Sequence, residues 1–234
     1  MRISHRHFWF LGLLLLPLGF AAAAEQDEAG FVSMFNGRDL TGWEGKPGGW
    51  WVEDGLLTSE STLEKPCVKH HYLMWRGGQP GDFEMKFSYR IVGGNSGLQF
   101  RSRELPEWDT WGYQADIEAG PQWTGALFQH QRGGVAMRGE KVVYAEDGTK
   151  TVTPIGDPAE LQKQIKAEDW NEYHVIARGP EVILKINGVV MSHAVDRDRE
   201  KACHKGVIAL QMHPGPPMKV QYRDLRIKIL DPAQ

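Results

Sequence analysis

Three polar residues, Gln114, Asp116 and Glu118, alternate with Tyr113, Ala115 and Ile117 along one stretch of the chain. In an extended strand alternate side chains share a face, so an amide and two acids would project together. At a rise of ~3.3 Å per residue the two acids would stand roughly 6–7 Å apart. That spacing permits a general acid/base pair. Trp108, Trp111 and Trp123 flank the stretch and could stack on a sugar ring. Two readings stay open at this point: the concave face of a carbohydrate site, or a solvated strand face.

Other residues could contribute. Gln211 and His213 share a face just before Pro214-Gly215-Pro216-Pro217. A histidine at a strand end can act as a base or a metal ligand, or simply face solvent. Arg101 shares parity with Gln99 and follows Asn95-Ser96-Gly97. Its guanidinium could hold a sugar oxygen or an enolate, or pair with an acid such as Glu84. His70 and His71 are adjacent, and adjacent strand residues point to opposite faces, which argues against joint metal binding. His130, His174, His193 and His204 carry no distinguishing context. Phosphate-binding glycine loops, HExxH and GxSxG are all absent, which disfavours nucleotide chemistry and serine-nucleophile hydrolysis.

The elements that must position these residues read as strands. Residues 82–92 alternate apolar Phe83, Met85, Phe87, Tyr89 and Ile91 with polar Glu84, Lys86, Ser88 and Arg90, the period of a half-buried strand. Asp54-Gly55 and Asn187-Gly188 are hairpin turn signals. Further strands are expected over 97–102, 112–118, 124–129, 139–145, 172–178, 181–187, 189–193, 206–212 and 219–230. Residues 157–169 read as a short helix or a long polar loop. The expectation is an all-β, two-sheet antiparallel sandwich or jelly roll in a single domain.

Composition agrees with that class. The 234 residues include 27 Gly and nine Trp, with 41% hydrophobic and 24% charged residues, as in globular domains. The net charge of −3 and the lack of a basic block disfavour nucleic acid as a partner. Arg2 and Arg6 precede an apolar run over 8–20 and Ala21-Ala22-Ala23-Ala24. This is the pattern of a secretory signal peptide over 1–24, cleaved before Glu25. The run is shorter than the ~20 residues of a spanning helix. The remainder, 25–234, is expected to be exported, periplasmic or secreted, with no stable membrane anchor. In such a compartment Cys67 and Cys203 could form a bridge or remain separate thiols.

Several segments taken together resemble a known family. They are residues 35–43 (FNGRDLTGW), 51–55 (WVEDG), 94–101 (GNSGLQFR), 112–117 (GYQADI), 170–173 (WNEY), 186–188 (ING), 206–211 (GVIALQ) and 223–227 (RDLRI). Their order and spacing resemble the 3-keto-disaccharide hydrolase domain family across about 31–230. The resemblance implies a concanavalin-like jelly roll acting on glycosides already oxidised to a ketone at C3. A C3 ketone acidifies the hydrogen on C2. A base removes it, the enolate forms, the group on C1 leaves, and water can add back. Such a site needs a base near C2, donors for the enolate oxygen and an acid for the leaving group. A divalent metal could serve as the electrophile.

By position, the resemblance makes Asp116 or Glu118 the base or a metal ligand. His213 becomes a second base, acid or ligand, and Arg101 a group steadying the enolate. Asn95, Gln99, Gln114, Gln211 and Trp123 would bind hydroxyls or stack on a glycoside or oligosaccharide. Many members carry Glu where this chain has Gln114, and an amide cannot exchange a proton. A non-catalytic carbohydrate-binding module and a conventional glucanase-like hydrolase are the competing readings.

Overall fold

Phe83, Met85, Phe87, Tyr89 and Ile91 are all buried, as the period-two pattern requires. In the computed structural model, which describes residues 29–231, they line one inner face of a two-layer sandwich. The expected leader over 1–24 lies outside the described residues. The strands begin with β1 (Val32–Ser33), β2 (Trp43–Gly45), β3 (Trp51–Glu53), β4 (Leu56–Ser61), β5 (His71–Trp75) and β6 (Phe83–Val92). There follow β7 (Asn95–Leu105), β8 (Asp109–Glu118), β9 (Leu127–Gln129), β10 (Gly133–Ala136), β11 (Glu140–Tyr144) and β12 (Lys150–Pro154). After the helix α1 (Pro158–Gln162) come β13 (Asn171–Arg178), β14 (Glu181–Ile186), β15 (Val189–Asp196), β16 (Val207–Met212) and β17 (Met218–Ile229).

One sheet has ten strands, in the order β12-β11-β15-β14-β13-β6-β17-β4-β3, with β1 also against β17. The other has seven, in the order β10-β9-β8-β7-β16-β5-β2. Their inner faces meet through aromatic rings. Phe87 stacks on Tyr173 at 5.3 Å between centroids and meets Tyr222 at 5.8 Å. Across this core the Ser96 hydroxyl donates to the Gln211 carbonyl at 2.5 Å and accepts from the Tyr222 hydroxyl at 2.8 Å. The larger sheet is thereby fastened to the backbone of β16.

The turn signals do what their chemistry demands. Asp54 and Gly55 have φ of 51° and 78°, and Asn187 and Gly188 have 51° and 81°, the two positive values of a type I′ hairpin. The polar 157–169 segment resolves into a helix of five residues, its first turn capped by Asp157, which accepts from the Ala159 and Glu160 amides. One expectation is corrected: β11 and β15 pair in parallel. The chain passes through β12, α1, β13 and β14 between them, so no hairpin fixes their direction.

Strand β5 was not among the expected elements. Tyr72, Leu73 and Met74 are all fully buried, so its sequence shows no alternation. Leu73 faces the main core, whereas Tyr72, Met74 and Ala209 form a second small cluster on the other face of the sheet. What covers them is the far end of the β7–β8 hairpin. The Tyr72 amide donates to the Trp108 carbonyl at 2.9 Å. Lys69 pairs with Glu107 at 2.6 Å and Arg76 with Glu104 at 2.7 Å. The hairpin therefore crosses β16 and lies along β5.

Arg101 is where the hairpin bends. The β7–β8 register shifts between Phe100 and Arg103, and Arg101 has φ of 47°. A bulge of this kind kinks the strand and re-aims its side chains. The Arg101 guanidinium, 2% exposed, turns inward. It donates to the Gly81 carbonyl at 2.7 Å, the Gly179 carbonyl at 2.8 Å and the Asp82 carboxylate at 3.0 Å. Arg101→Ala withdraws these donors from part-buried acceptors and should destabilise the fold by about 3 kcal/mol. A urea midpoint within error of the parent protein would contradict this anchoring role.

Candidate functional site

The outer face of β8, opposite the core, carries Gln114, Asp116 and Glu118 into a cleft of about 430 Å³. Asn95 from the start of β7 and Gln211 and His213 from β16 and its end line the same cleft. The Gly93-Gly94 turn places Asn95 opposite Glu118. Seven of the nine residues expected at the site, Trp123 among them, thus converge here. Phe128, His70 and His130 also line the cleft and were not expected there. Phe128 could have been found from strand parity, since it pairs with Gln114. His70 and His130 depend on the hairpin bend and the β9 turn, which leave no local signature.

One wall is aromatic. Trp123 meets Phe128 edge to face at 6.1 Å, and Phe128 meets His130 in the same way at 5.6 Å. His130 in turn stacks on Trp111 at 5.2 Å and 24°. Such a wall can receive the apolar face of a sugar ring.

The floor is a chain of side-chain hydrogen bonds. The Ser102 hydroxyl donates to Gln99 Oε1 at 2.6 Å, and Gln99 Nε2 donates to Gln114 Oε1 at 2.9 Å. Gln114 Nε2 donates to Asp116 Oδ1 at 2.5 Å and to Gln211 Oε1 at 3.1 Å. Gln211 Nε2 then donates to the Tyr72 hydroxyl at 2.8 Å. Gly97 makes room for this arrangement. A Cβ there would stand 2.7 Å from the Gln114 side chain, closer than real contacts allow.

Asp116 ends the chain and is 3% exposed. Burial pushes its carboxyl from 3.8 up to about 8; the Gln114 hydrogen bond opposes the rise and the nearby Glu118 charge adds to it. A carboxyl tuned to this range can exchange a proton near neutral pH. Glu118 is differently employed. Its Oε2 accepts from the backbone amides of Gln122 at 3.0 Å and Trp123 at 2.9 Å, so it orders the loop that carries Trp123. His213 Nδ1 lies 2.6 Å from the Pro214 carbonyl. A carbonyl only accepts, so Nδ1 holds the hydrogen and Nε2 keeps a lone pair.

The model of the 3-keto-alpha-glucoside-1,2-lyase-like domain matches residues 30–228. The chain belongs to this family. No curated protein matches it. Two candidate glycosyl hydrolases of Parabacteroides distasonis ATCC 8503 share its fold. One has a TM-score of 0.56 at 21% identity, covering 88% of this chain and 97% of that one. The second has a TM-score of 0.56 at 18% identity, covering 86% and 99%. A Bacillus subtilis protein of unknown function with a galectin-like fold gives 0.51 at 13% identity, covering 83% and 92%. These likenesses establish the jelly-roll sandwich.

Two residues expected at the site of this family member lie elsewhere. Arg101 is turned away by its bulge and faces Asp82 and Gly179. Gln99 is fully buried behind Gln114 and reaches the cleft only through it. None of the described residues lining the cleft is Lys or Arg, so side-chain donors for a developing anion are amides, imidazoles and the Trp123 indole N–H. His70 and His71 point apart, as strand geometry requires. His71 is buried on the other side, and burial pushes it down to about 4. Both cysteines are free thiols. Cys67 donates to the Lys69 carbonyl, and Cys203 lies beside Gln129.

Among the described residues no three His, Cys, Asp or Glu side chains converge to hold a metal ion. Asp116 and His213 share the cleft, but Asp116 Oδ1 and His213 Nδ1 are already engaged. This donor set does not build a divalent-metal site.

The raised Asp116 pKa has a stability consequence of definite sign. Between about pH 4 and pH 8 the folded chain holds a proton that the unfolded chain has released. Stability therefore falls as pH rises through that window. Asp116→Asn cannot titrate. Its melting temperature should gain on the parent's as pH rises from 4 to 8, by about 5 °C or more. A pH-independent difference would show that Asp116 is not a buried acid in the folded protein.

Proposed function

We propose that the protein cleaves glycosides bearing a ketone at C3, by removal of the C2 proton and β-elimination of the group on C1, and that it does so as an exported enzyme. The observation that carries this reading is Asp116, a buried carboxyl poised near neutral pH on the floor of an aromatic-walled cleft. Family membership supports the same substrate class.

The sugar ring would lie against Trp123 and Phe128. Gln114 holds Asp116 Oδ1, which leaves Oδ2 to take the C2 proton. The electron pair released from C2–H passes into the C2–C3 bond and onto the ketone oxygen. Asn95 is the amide placed to donate to that oxygen, and His213 Nε2 can accept from a sugar hydroxyl. Collapse of the enolate breaks the C1–O bond. The product is an unsaturated ketone, to which water can add.

A conventional glycosidase uses two carboxyl groups astride the glycosidic bond. Here Glu118 Oε2 is held by two backbone amides, so only its Oε1 stays free for such a role. A pure binding module would have no need of a desolvated acid, whose burial costs stability.

The decisive measurement is release of nitrophenol from 4-nitrophenyl 3-keto-glucoside and from the unoxidised glucoside. Turnover should be confined to the ketone, and the rate should climb with pH to a plateau above about 8 as Asp116 ionises. Asp116→Asn should lose at least about 100-fold in kcat, the ordinary worth of a general base. Equal turnover of both glucosides would point to a conventional glycosidase. Binding without turnover of either would point to a carbohydrate-binding module. Gly97→Ala should lower kcat by about tenfold or more while leaving the far-ultraviolet spectrum intact, because the added methyl displaces Gln114 and with it Asp116. Full activity in that variant would show that the amide does not position the base.

A further inference from the structure

Elimination also needs a proton for the departing oxygen. Asp116 is buried and is the acceptor of the C2 proton. The donor must reload from water at every turnover, so it should be reachable by solvent. His70 meets that requirement. It lines the cleft with its side chain 32% exposed, just before β5. Its Nε2 lies 3.0 Å from Asp109 Oδ1, and that oxygen also accepts from the Thr110 amide at 2.7 Å. An ionised carboxylate only accepts, so Nε2 carries the hydrogen. Nδ1 is then the nitrogen free to exchange a proton, and the carboxylate fixes the orientation of the ring.

The pair is assembled by tertiary structure. Asp109 stands at the start of β8, on the hairpin end that the Arg101 bulge folds across β16. The Lys69–Glu107 pair and the Tyr72–Trp108 backbone bond hold that end in place on either side of His70. The Tyr72 ring lies 5.8 Å from the imidazole and limits its swing.

We infer that His70, positioned by Asp109, is the general acid that protonates the leaving oxygen on C1. The inference rests on the elimination chemistry proposed above. In that step the C1–O bond breaks, and its electron pair stays on the oxygen. That oxygen takes the proton from His70 Nδ1 and departs as an alcohol. The enolate pair closes the C1–C2 double bond and restores the C3 ketone, and water reprotonates His70.

Leaving-group dependence tests this role. Nitrophenolate departs without protonation, whereas an alkoxide does not. Purified protein, His70→Asn and Asp109→Asn would each be assayed on 4-nitrophenyl 3-keto-glucoside and on methyl 3-keto-glucoside. For His70→Asn the loss in kcat/KM should be at least about 30-fold larger on the methyl substrate, within the range general acids supply. Asp109→Asn should shift the ratio in the same direction by a smaller factor. If His70→Asn does not fold, the Asp109→Asn ratio decides. Equal losses on both substrates, in a parent protein that turns over both, would overturn the His70 assignment and leave the elimination reading standing. No turnover of either ketone by the parent protein would overturn both.

Discussion

A single buried guanidinium sets the shape of the outer face. The Arg101 side chain ties together the Gly81 carbonyl, the Asp82 carboxylate and the Gly179 carbonyl, all at one end of the sandwich. Spending a cation in the interior is tolerable because three oxygens accept its hydrogen bonds, one of them a carboxylate. The bulge that turns Arg101 inward also bends the β7–β8 hairpin over β16 and β5. From that bend follow the covered cluster of Tyr72, Met74 and Ala209, the meeting of Asp109 with His70, and one boundary of the cleft.

Inside the cleft, the design opposes stability to reactivity. A solvated carboxylate on a strand face would be harmless and too weakly basic to take a proton from carbon. Burying Asp116 raises its basicity at the expense of the folded state. The surroundings limit that loss through one short hydrogen bond from Gln114, and no cation is brought near enough to undo the effect. On the second acid of the same strand, one carboxylate oxygen is held by two backbone amides. Two carboxylates of equal parity therefore have different roles, set by what each one touches.

The sequence makes the strands legible where one face is buried and the other wet. Residues 82–92 show this most clearly; 112–118 alternates in residue type as well, although Gln114 and Asp116 are buried in the cleft floor. It fails where both faces are covered, which is why β5 reads as an unbroken apolar run. Parity also served the site, since Gln114, Asp116, Glu118, Gln211 and His213 fall on the cleft side. Parity misplaced Arg101 because a bulge inserts a residue and reverses direction without any mark such as glycine or proline. His70 was legible only as one of an adjacent pair. Its partner Asp109 lies 39 positions away and reaches it through a bend that no local pattern encodes.

The amide chain of the cleft floor has a further property. Ser102, Gln99, Gln114, Gln211 and Tyr72 could satisfy one another with every amide turned end for end, because each side-chain amide offers a donor on one side and an acceptor on the other. The carboxylate breaks that symmetry. Asp116 accepts and, when ionised, cannot donate, so Gln114 must present its nitrogen there. Gln99 and Gln211 must then follow in register. The ionisation state of one acid is thus transmitted as orientational order across three strands, from β7 through β8 to β16. A proton arriving at Asp116 lets that carboxyl donate as well as accept, which weakens the preference for that orientation along the whole row.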